Sequence, residues 1–288
     1  MRKNFSIFLC IVAAVTYSLK GHAALCSALD MSLVTFYQML AMSLFSLFLL
    51  IYEIVFLRVK IFINFSFINV ANILLLGLVH SMMLLLFNNS LFMYGLSIAT
   101  PIFYSFPLII GLIGKIAKPY FSLIDIVNIV YLIGLIFLLY SGEQLQIMDL
   151  CITMAPALFN AVYFVLCHQY LQLTKIQLSQ YNFAVFIIGV FCILMTGKIH
   201  DFDVIQIRPF FYMLLFAVTS YSLTTVSLKY LKADLVSFIL VLQMIICVFI
   251  GVIFNREFLS LNKIIGLFII FMSVFAKLLF NLNVNTRV

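Results

Sequence analysis

The stretch from Phe67 to Asn89, FINVANILLLGLVHSMMLLLFNN, contains no Asp, Glu, Lys or Arg and is long enough to cross a bilayer as one helix. Such a helix needs about 20 apolar residues to span the roughly 30 Å hydrocarbon core. Comparable runs recur along the chain, whose 288 residues are 66% hydrophobic and only 9% charged. A soluble domain of this length would need far more polar surface. The sequence therefore predicts an all-α integral membrane protein, because a helix satisfies its own backbone hydrogen bonds in lipid.

Ten transmembrane helices are predicted, and their short connections hold most of the charged residues. The segments are Phe5–Ala24, Leu33–Ile51, Phe67–Asn89, Ala99–Ala117, Asp125–Ser141, Leu150–Cys167, Ser179–Thr196, Pro209–Leu228, Val236–Phe254 and Lys263–Phe280. The connection between the third and fourth segments is placed at Tyr94–Ile98. The fourth contains Pro101 and Pro107, which we expect to kink the helix rather than break it.

The orientation follows from how Lys and Arg divide between the two sides, since cytoplasmic loops carry an excess of both. With a cytoplasmic N-terminus, the inner side holds ten: Arg2, Lys3, Arg58, Lys60, Lys115, Lys118, Lys175, Lys229, Lys232 and Arg287. The outer side then holds four: Lys198, Arg208, Arg256 and Lys263. Both termini are therefore predicted to be cytoplasmic, in the cell membrane of a bacterium, with the first segment an uncleaved helix rather than a signal peptide. This topology accounts for the net charge of +7 without a nucleic-acid partner.

The two halves of the chain are similar in sequence. Residues 119–127, PYFSLIDIV, align with residues 257–265, EFLSLNKII, and residues 106–110, FPLII, align with residues 242–246, LQMII. Because each half would hold five helices, an odd number, the second half must cross in the opposite sense. The sequence therefore predicts two inverted repeats, residues 1–143 and 149–288, with a binding site near the midplane.

Ten helices in two such halves resemble the drug/metabolite transporter superfamily, and its EamA-like family in particular. The motifs that carry the resemblance are KYLKA (229–233), NREFLS (255–260), KIIGL (263–267), YGL (94–96), SFP (105–107) and Tyr17-Ser18. The chain departs from the family pattern at Gln243, where helix nine usually has a proline, and at Lys118-Pro119, where a glutamate turn is often found. The resemblance implies a secondary transporter, in a family whose substrates range from amino acids and nucleotide-like metabolites to sugars and drugs.

Two lysines fall inside predicted segments, where a charge is costly and often functional. Lys20 shares a helix face with Tyr17 and Thr16. Its ammonium either binds a substrate carboxylate or phosphate or extends to the lipid headgroups, and the sequence leaves both interpretations open. Lys277, near the inner end of the last segment, is expected to extend to the headgroups.

Other polar residues at membrane depth complete the predicted substrate site. Asn88 and Asn89 fall opposite Thr224 and Thr225 in the repeat, as expected for a pseudo-symmetric cavity, although interhelical hydrogen bonds use the same residue types. The predicted substrate-binding residues are Tyr17, Lys20, His80, Asn88, Asn89, Tyr104, Asn160, Tyr163, Thr224 and Gln243.

The remaining titratable residues and the absence of catalytic motifs favour a transport function. All 9 carboxylates fall at helix ends or in loops, so acid-based proton coupling is not expected. The 6 cysteines show no ligand spacing, so neither a metal nor a cofactor is expected. Catalytic and nucleotide-binding motifs are lacking, which disfavours the rival interpretation, a membrane-embedded enzyme.

We therefore expect a secondary transporter of a small polar or amphipathic metabolite. The absence of Trp beside 32 Phe is typical of an AT-rich genome, which favours import of a host metabolite such as S-adenosylmethionine or an amino acid. Export by the same fold is the alternative. The expected partners are the small-molecule substrate, the lipid bilayer and, as a further candidate, a second copy of the chain in a homodimer.

Overall fold

The fold is described from a computed structural model, over residues 2–27, 29–58, 67–117, 123–139, 147–173, 178–195, 207–255 and 260–284. These residues form twelve α-helices and no strand. The helices are α1 (Arg2–Cys26), α2 (Met31–Val55), α3 (Phe67–Tyr94), α4 (Leu96–Phe103), α5 (Phe106–Ala117), α6 (Leu123–Leu139), α7 (Ile147–Leu173), α8 (Leu178–Met195), α9 (Ile207–Tyr230), α10 (Ala233–Leu240), α11 (Leu242–Asn255) and α12 (Leu261–Val284).

Seven spans in the described residues are long and apolar enough to cross a membrane, which confirms the all-helical membrane class. Two shorter apolar helical stretches, Ala99–Ile113 and Asp125–Phe137, coincide with the fourth and fifth predicted segments. The tenth predicted segment lies within α12. The total of ten crossings and the inverted repeat stay predictions.

The junction between the third and fourth segments is a single residue, Gly95, between α3 and α4. Its φ of 75° lies in the left-handed region, which glycine adopts without steric cost because it lacks a Cβ. A sharp turn between two apolar helices therefore needs no polar loop here.

Two segments that we expected to be continuous are each two helices. The fourth divides at Tyr104 and Ser105, between α4 and α5. Pro107 explains this break, because proline has no N–H to donate to the backbone oxygen of Phe103, four residues earlier, and its ring crowds that carbonyl. The expectation of a mere kink was wrong at Pro107, whereas Pro101 does lie inside α4. The ninth segment divides at Val241, between α10 and α11, without any proline.

The helices pack mainly across the two halves. α1 packs against α9, α3 against α7, α2 against α8, and α6 against α12. Ala13, Ala14 and Ser18 are buried on one face of α1, and small residues such as these let membrane helices approach closely. Large apolar side chains such as Phe48 and Phe268 remain exposed on the outer faces, as expected where lipid replaces water.

Candidate functional site

A central cavity lies where α1, α3, α7 and α9 meet the two broken helices. Its lining combines aromatic rings with a few polar groups, as small-molecule sites commonly do. The lining residues are Tyr17, Lys20, His80, Met83, Phe87, Phe103, Tyr104, Phe106, Asn160, Tyr163, Phe164, Tyr221, Thr224, Thr225, Leu240 and Gln243. Eight of the ten predicted substrate-binding residues are thus brought together at one site.

Lys20 contributes the cavity's one charged side chain in this lining set. Only 1% of the residue is exposed, so its ammonium lies inside the cavity and does not extend to the headgroups. Its Nζ lies 3.3 Å from the Tyr221 hydroxyl, and 4.9 Å and 5.3 Å from the ring centres of Tyr221 and Tyr17. The described lining contains no carboxylate. Rings and a hydroxyl offset only part of the cost of burying a charge.

His80 forms an aromatic wall of the cavity with Tyr163 and Tyr221, at ring-centre distances of 4.5 Å and 4.9 Å. The imidazole is fully buried. Neither of its ring nitrogens has a hydrogen-bond partner in the part of the chain that the structure describes. Buried polar groups are nearly always hydrogen-bonded, so these nitrogens are available to a bound molecule or to water.

The two helix breaks meet beside the cavity. The Tyr104 hydroxyl, at the α4–α5 break, donates a hydrogen bond to the Gln243 side-chain oxygen at the start of α11. The Gln243 backbone oxygen accepts a hydrogen bond from the Ser18 hydroxyl of α1 at 3.1 Å. A helix break frees backbone and side-chain polar groups within the bilayer, and it is tolerated where those groups line a cavity or find partners.

Asn88 and Asn89 lie outside the cavity lining. The buried Asn88 amide donates to the Thr35 hydroxyl at 2.9 Å and to the Gln38 side-chain oxygen at 3.3 Å. These contacts join α3 to α2, which is the interhelical alternative that the sequence left open. Asn89 is half-buried. Thr16, expected beside Lys20, donates to its own helix backbone at Val12 and Ala13.

Tyr221 is the main cavity residue that the sequence analysis missed. It contacts Lys20 through its hydroxyl and the Tyr17 ring edge-on at 4.9 Å. Its spacing of three and four residues before Thr224 and Thr225 puts all three on one face of α9. This polar face of α9 was the sequence signal that could have identified Tyr221.

Lys277 is fully buried, so the expectation that it extends to the headgroups was wrong. Its ammonium forms an ion pair with Asp234 at 2.6 Å and lies 3.2 Å from the ring centre of Phe238. Both partners belong to α10, which packs against α12. A partner on another helix cannot be read from the local pattern around Lys277.

Comparisons with known proteins agree with this arrangement. Residues 147–278, which include Asn160, Tyr163, Tyr221 and Gln243, match the sequence model of the EamA-like transporter family. A search of curated protein sequences gives no match. One solved structure, described only as the crystal structure of a protein, matches with a TM-score of 0.67 at 12% identity, covering 94% of this chain and 94% of its own. That likeness shows a shared fold. The match over residues 147–278 therefore supports the resemblance to the EamA-like family of the drug/metabolite transporter superfamily, and with it a membrane transporter.

Proposed function

We propose that this transporter moves a small metabolite carrying a carboxylate or phosphate, and that Lys20 binds this anionic group. The observation that carries the proposal is a buried ammonium that lines the cavity with no carboxylate among the described lining residues. A substrate anion would replace the solvation that the ammonium loses on burial. The gain is largest in a site that excludes water, where the effective dielectric constant is low.

The rest of the cavity favours a small amphipathic substrate. The cavity encloses only about 30 Å³ in this structure, room for roughly one or two water molecules, so it must widen to admit a substrate. Tyr163, Tyr221 and Phe87 offer ring surface, while Asn160 and Gln243 offer amide groups. Because rings and amides together suit an amphipathic molecule, we propose an amino acid, a nucleotide-like metabolite or S-adenosylmethionine as the substrate, and we propose import as its direction.

The packing supports two halves related by an approximate two-fold axis. Exchanging the halves turns the α1–α9 contact into the α7–α3 contact and leaves the α2–α8 and α6–α12 pairs unchanged. The α5 and α11 helices also begin at Phe106 and Leu242, which are counterparts in the sequence alignment of the halves. Residues 1–143 and 149–288 are the proposed repeats, and the cavity lies between them, as in other inverted-repeat transporters.

The proposed orientation puts both termini in the cytoplasm of a bacterial cell. Reporter fusions after Lys60, Lys118 and Val288 should give cytoplasmic signals, and a fusion after Glu143 should give an outside signal. A cytoplasmic signal after Glu143 together with an outside signal after Val288 would contradict the orientation, and signals from the same side after both residues would contradict an odd number of crossings in the second half. Glu143, Lys60, Lys118 and Val288 lie outside the described residues.

The Lys20→Met variant tests the binding proposal, because Met keeps the unbranched apolar stem and removes the charge and its donors. The purified protein is reconstituted in liposomes, and a panel of labelled amino acids, nucleosides and S-adenosylmethionine identifies a cargo. Uptake of the anionic cargo and of its neutral ester or amide analogue is then compared. We expect the variant to lose about 100-fold in uptake efficiency for the anion, equivalent to about 2.7 kcal/mol, and little for the neutral analogue.

Lys229→Met is the matched control, since Lys229 lies in the last turn of α9 and outside the cavity lining. It should transport both cargoes as the unmodified protein does. Equal losses for the anion and the neutral analogue in Lys20→Met, at normal protein abundance, would contradict the proposed role of Lys20.

A further inference from the structure

The ion pair between Lys277 and Asp234 lies at a short helix that is separated from its neighbours in the chain at both ends. α10 is a short helix, Ala233–Leu240, bounded on one side by Leu231 and Lys232 and on the other by the break at Val241. Its last residue, Leu240, lines the central cavity, whereas Asp234 in its first turn is 35% exposed by side chain. α10 therefore extends from the protein surface to the cavity.

Lys277 holds this helix by two different contacts. Its Nζ lies 2.6 Å from the Asp234 carboxylate and 3.2 Å from the centre of the Phe238 ring, one turn further along α10. Phe238 also contacts the Tyr131 ring of α6 at 5.7 Å. The Tyr131 hydroxyl in turn donates to the Tyr104 backbone oxygen at 2.5 Å. The α6–α12 pair is thus joined to both helix breaks, and through Tyr104 to the cavity lining.

A second carboxylate gives Lys277 an alternative partner. Asp125, in the first turn of α6, also interacts electrostatically with the Lys277 ammonium. A buried ammonium left without any counter-ion is strongly destabilising. If α10 moves away, Asp234 can be solvated at the surface, while Lys277 retains Asp125 on the neighbouring helix of its own pair. The two partners therefore make departure of α10 less costly than breaking an isolated buried ion pair.

We propose that the Lys277–Asp234 pair is a latch that holds α10 against α12 and closes the cavity on that side, and that it opens during transport. This proposal rests on the transport function proposed above, since a binding cavity must open to one side and then the other. Lys277 and Asp234 act by positioning α10 and do not contact the substrate.

Hydrogen–deuterium exchange of the full-length protein in lipid nanodiscs tests the latch without any cargo. Asp234→Asn should accelerate exchange in residues 233–240 by about tenfold or more, because local opening sets the exchange rate of a buried helix. Exchange in α1 and α9 should remain unchanged. Asp30→Asn is the matched control, because Asp30 caps α2 at the Ser32 amide and an asparagine side chain can serve the same cap. It should leave α10 exchange unaltered.

Rescue distinguishes a latch from a general structural role. The charge swap Asp234→Lys with Lys277→Asp should return exchange in residues 233–240 toward the rate of the unmodified protein. Lys277→Met provides a second route if Asp234→Asn folds poorly, since it also removes the pair and leaves no buried charge behind. Unchanged α10 exchange in both single variants, or equal acceleration throughout α1, α9 and α10, would overturn the latch. Neither result bears on Lys20, so the binding proposal stands or fails separately.

Discussion

Lys20 and Lys277 are both almost completely buried in membrane helices, with 1% and 0% exposure, yet their surroundings differ. Lys277 has a carboxylate at 2.6 Å. Lys20 has a tyrosine hydroxyl at 3.3 Å and three aromatic rings. Burial alone thus does not reveal the role of a charge. A buried ammonium that already has its counter-ion serves the structure, whereas one without a counter-ion in the cavity lining is suited to receive it from a ligand.

The largest effect should follow from removing the counter-ion of Lys277. Asp234→Asn leaves the buried ammonium with Asp125 alone, and we expect the free energy of unfolding to fall by about 3 kcal/mol, the lower end of the range for a broken buried ion pair. Lys277→Met should cost about 1 kcal/mol, because the remaining carboxylate is partly exposed and can be solvated. Unfolding by denaturant in detergent measures both. Equal losses in the two single variants would show that the ammonium is not the group that needs its partner.

Lys20→Met should change stability in the opposite direction. It removes a buried charge that has no counter-ion among the described cavity-lining residues, so the ligand-free protein should gain about 1–2 kcal/mol of unfolding free energy. The same variant should no longer be stabilised by an anionic cargo that stabilises the unmodified protein. A loss of more than about 1 kcal/mol in the ligand-free variant would assign Lys20 a structural role similar to that of Lys277.

The sequence supports the membrane class because apolar length and charge placement are local properties. It also identified Lys20, Tyr17 and Gln243 as cavity residues, since polar side chains within the bilayer face the protein interior or a cavity rather than lipid. The break at Pro107 has a local cause, although its severity was underestimated. The break at Val241 has no proline to indicate it. The only sequence hint was that the residues after it, 242–246, align with residues 106–110 at the Pro107 break.

The errors arose where the answer depended on another helix. Whether Lys277 reaches lipid headgroups or a carboxylate depends on where α10 begins and how it packs against α12. Asn88 points to Thr35 and Gln38 because of the α2–α3 contact, which repeat symmetry alone cannot supply. Tyr221 was missed because its place on one face of α9 with Thr224 and Thr225 gains meaning only when α9 packs against α1.

Tyr221→Phe should sharpen the comparison with a smaller effect. The phenylalanine ring keeps the edge-on contact with Tyr17 and the face near Lys20, but it removes the hydroxyl that lies 3.3 Å from Nζ. We expect affinity for the anionic cargo to fall about fivefold, equivalent to about 1 kcal/mol for one hydrogen bond. Equilibrium binding to the purified protein measures it. A loss as large as that of Lys20→Met would mean that the hydroxyl itself contacts the cargo.

Thr16→Val should have the smallest effect, and it tests how far the polar site around Lys20 extends along α1. Thr16 lies one turn from Lys20, but its hydroxyl donates at 3.0 Å to the backbone oxygens of Val12 and Ala13. Those oxygens already accept helical hydrogen bonds, and valine has nearly the same shape as threonine. We therefore expect less than about 0.5 kcal/mol in stability and unchanged preference for the anionic cargo over its neutral analogue. A reduced preference would show that the cavity widens in the transport cycle until Thr16 reaches the substrate, and that Lys20 has a second polar neighbour which the closed arrangement conceals.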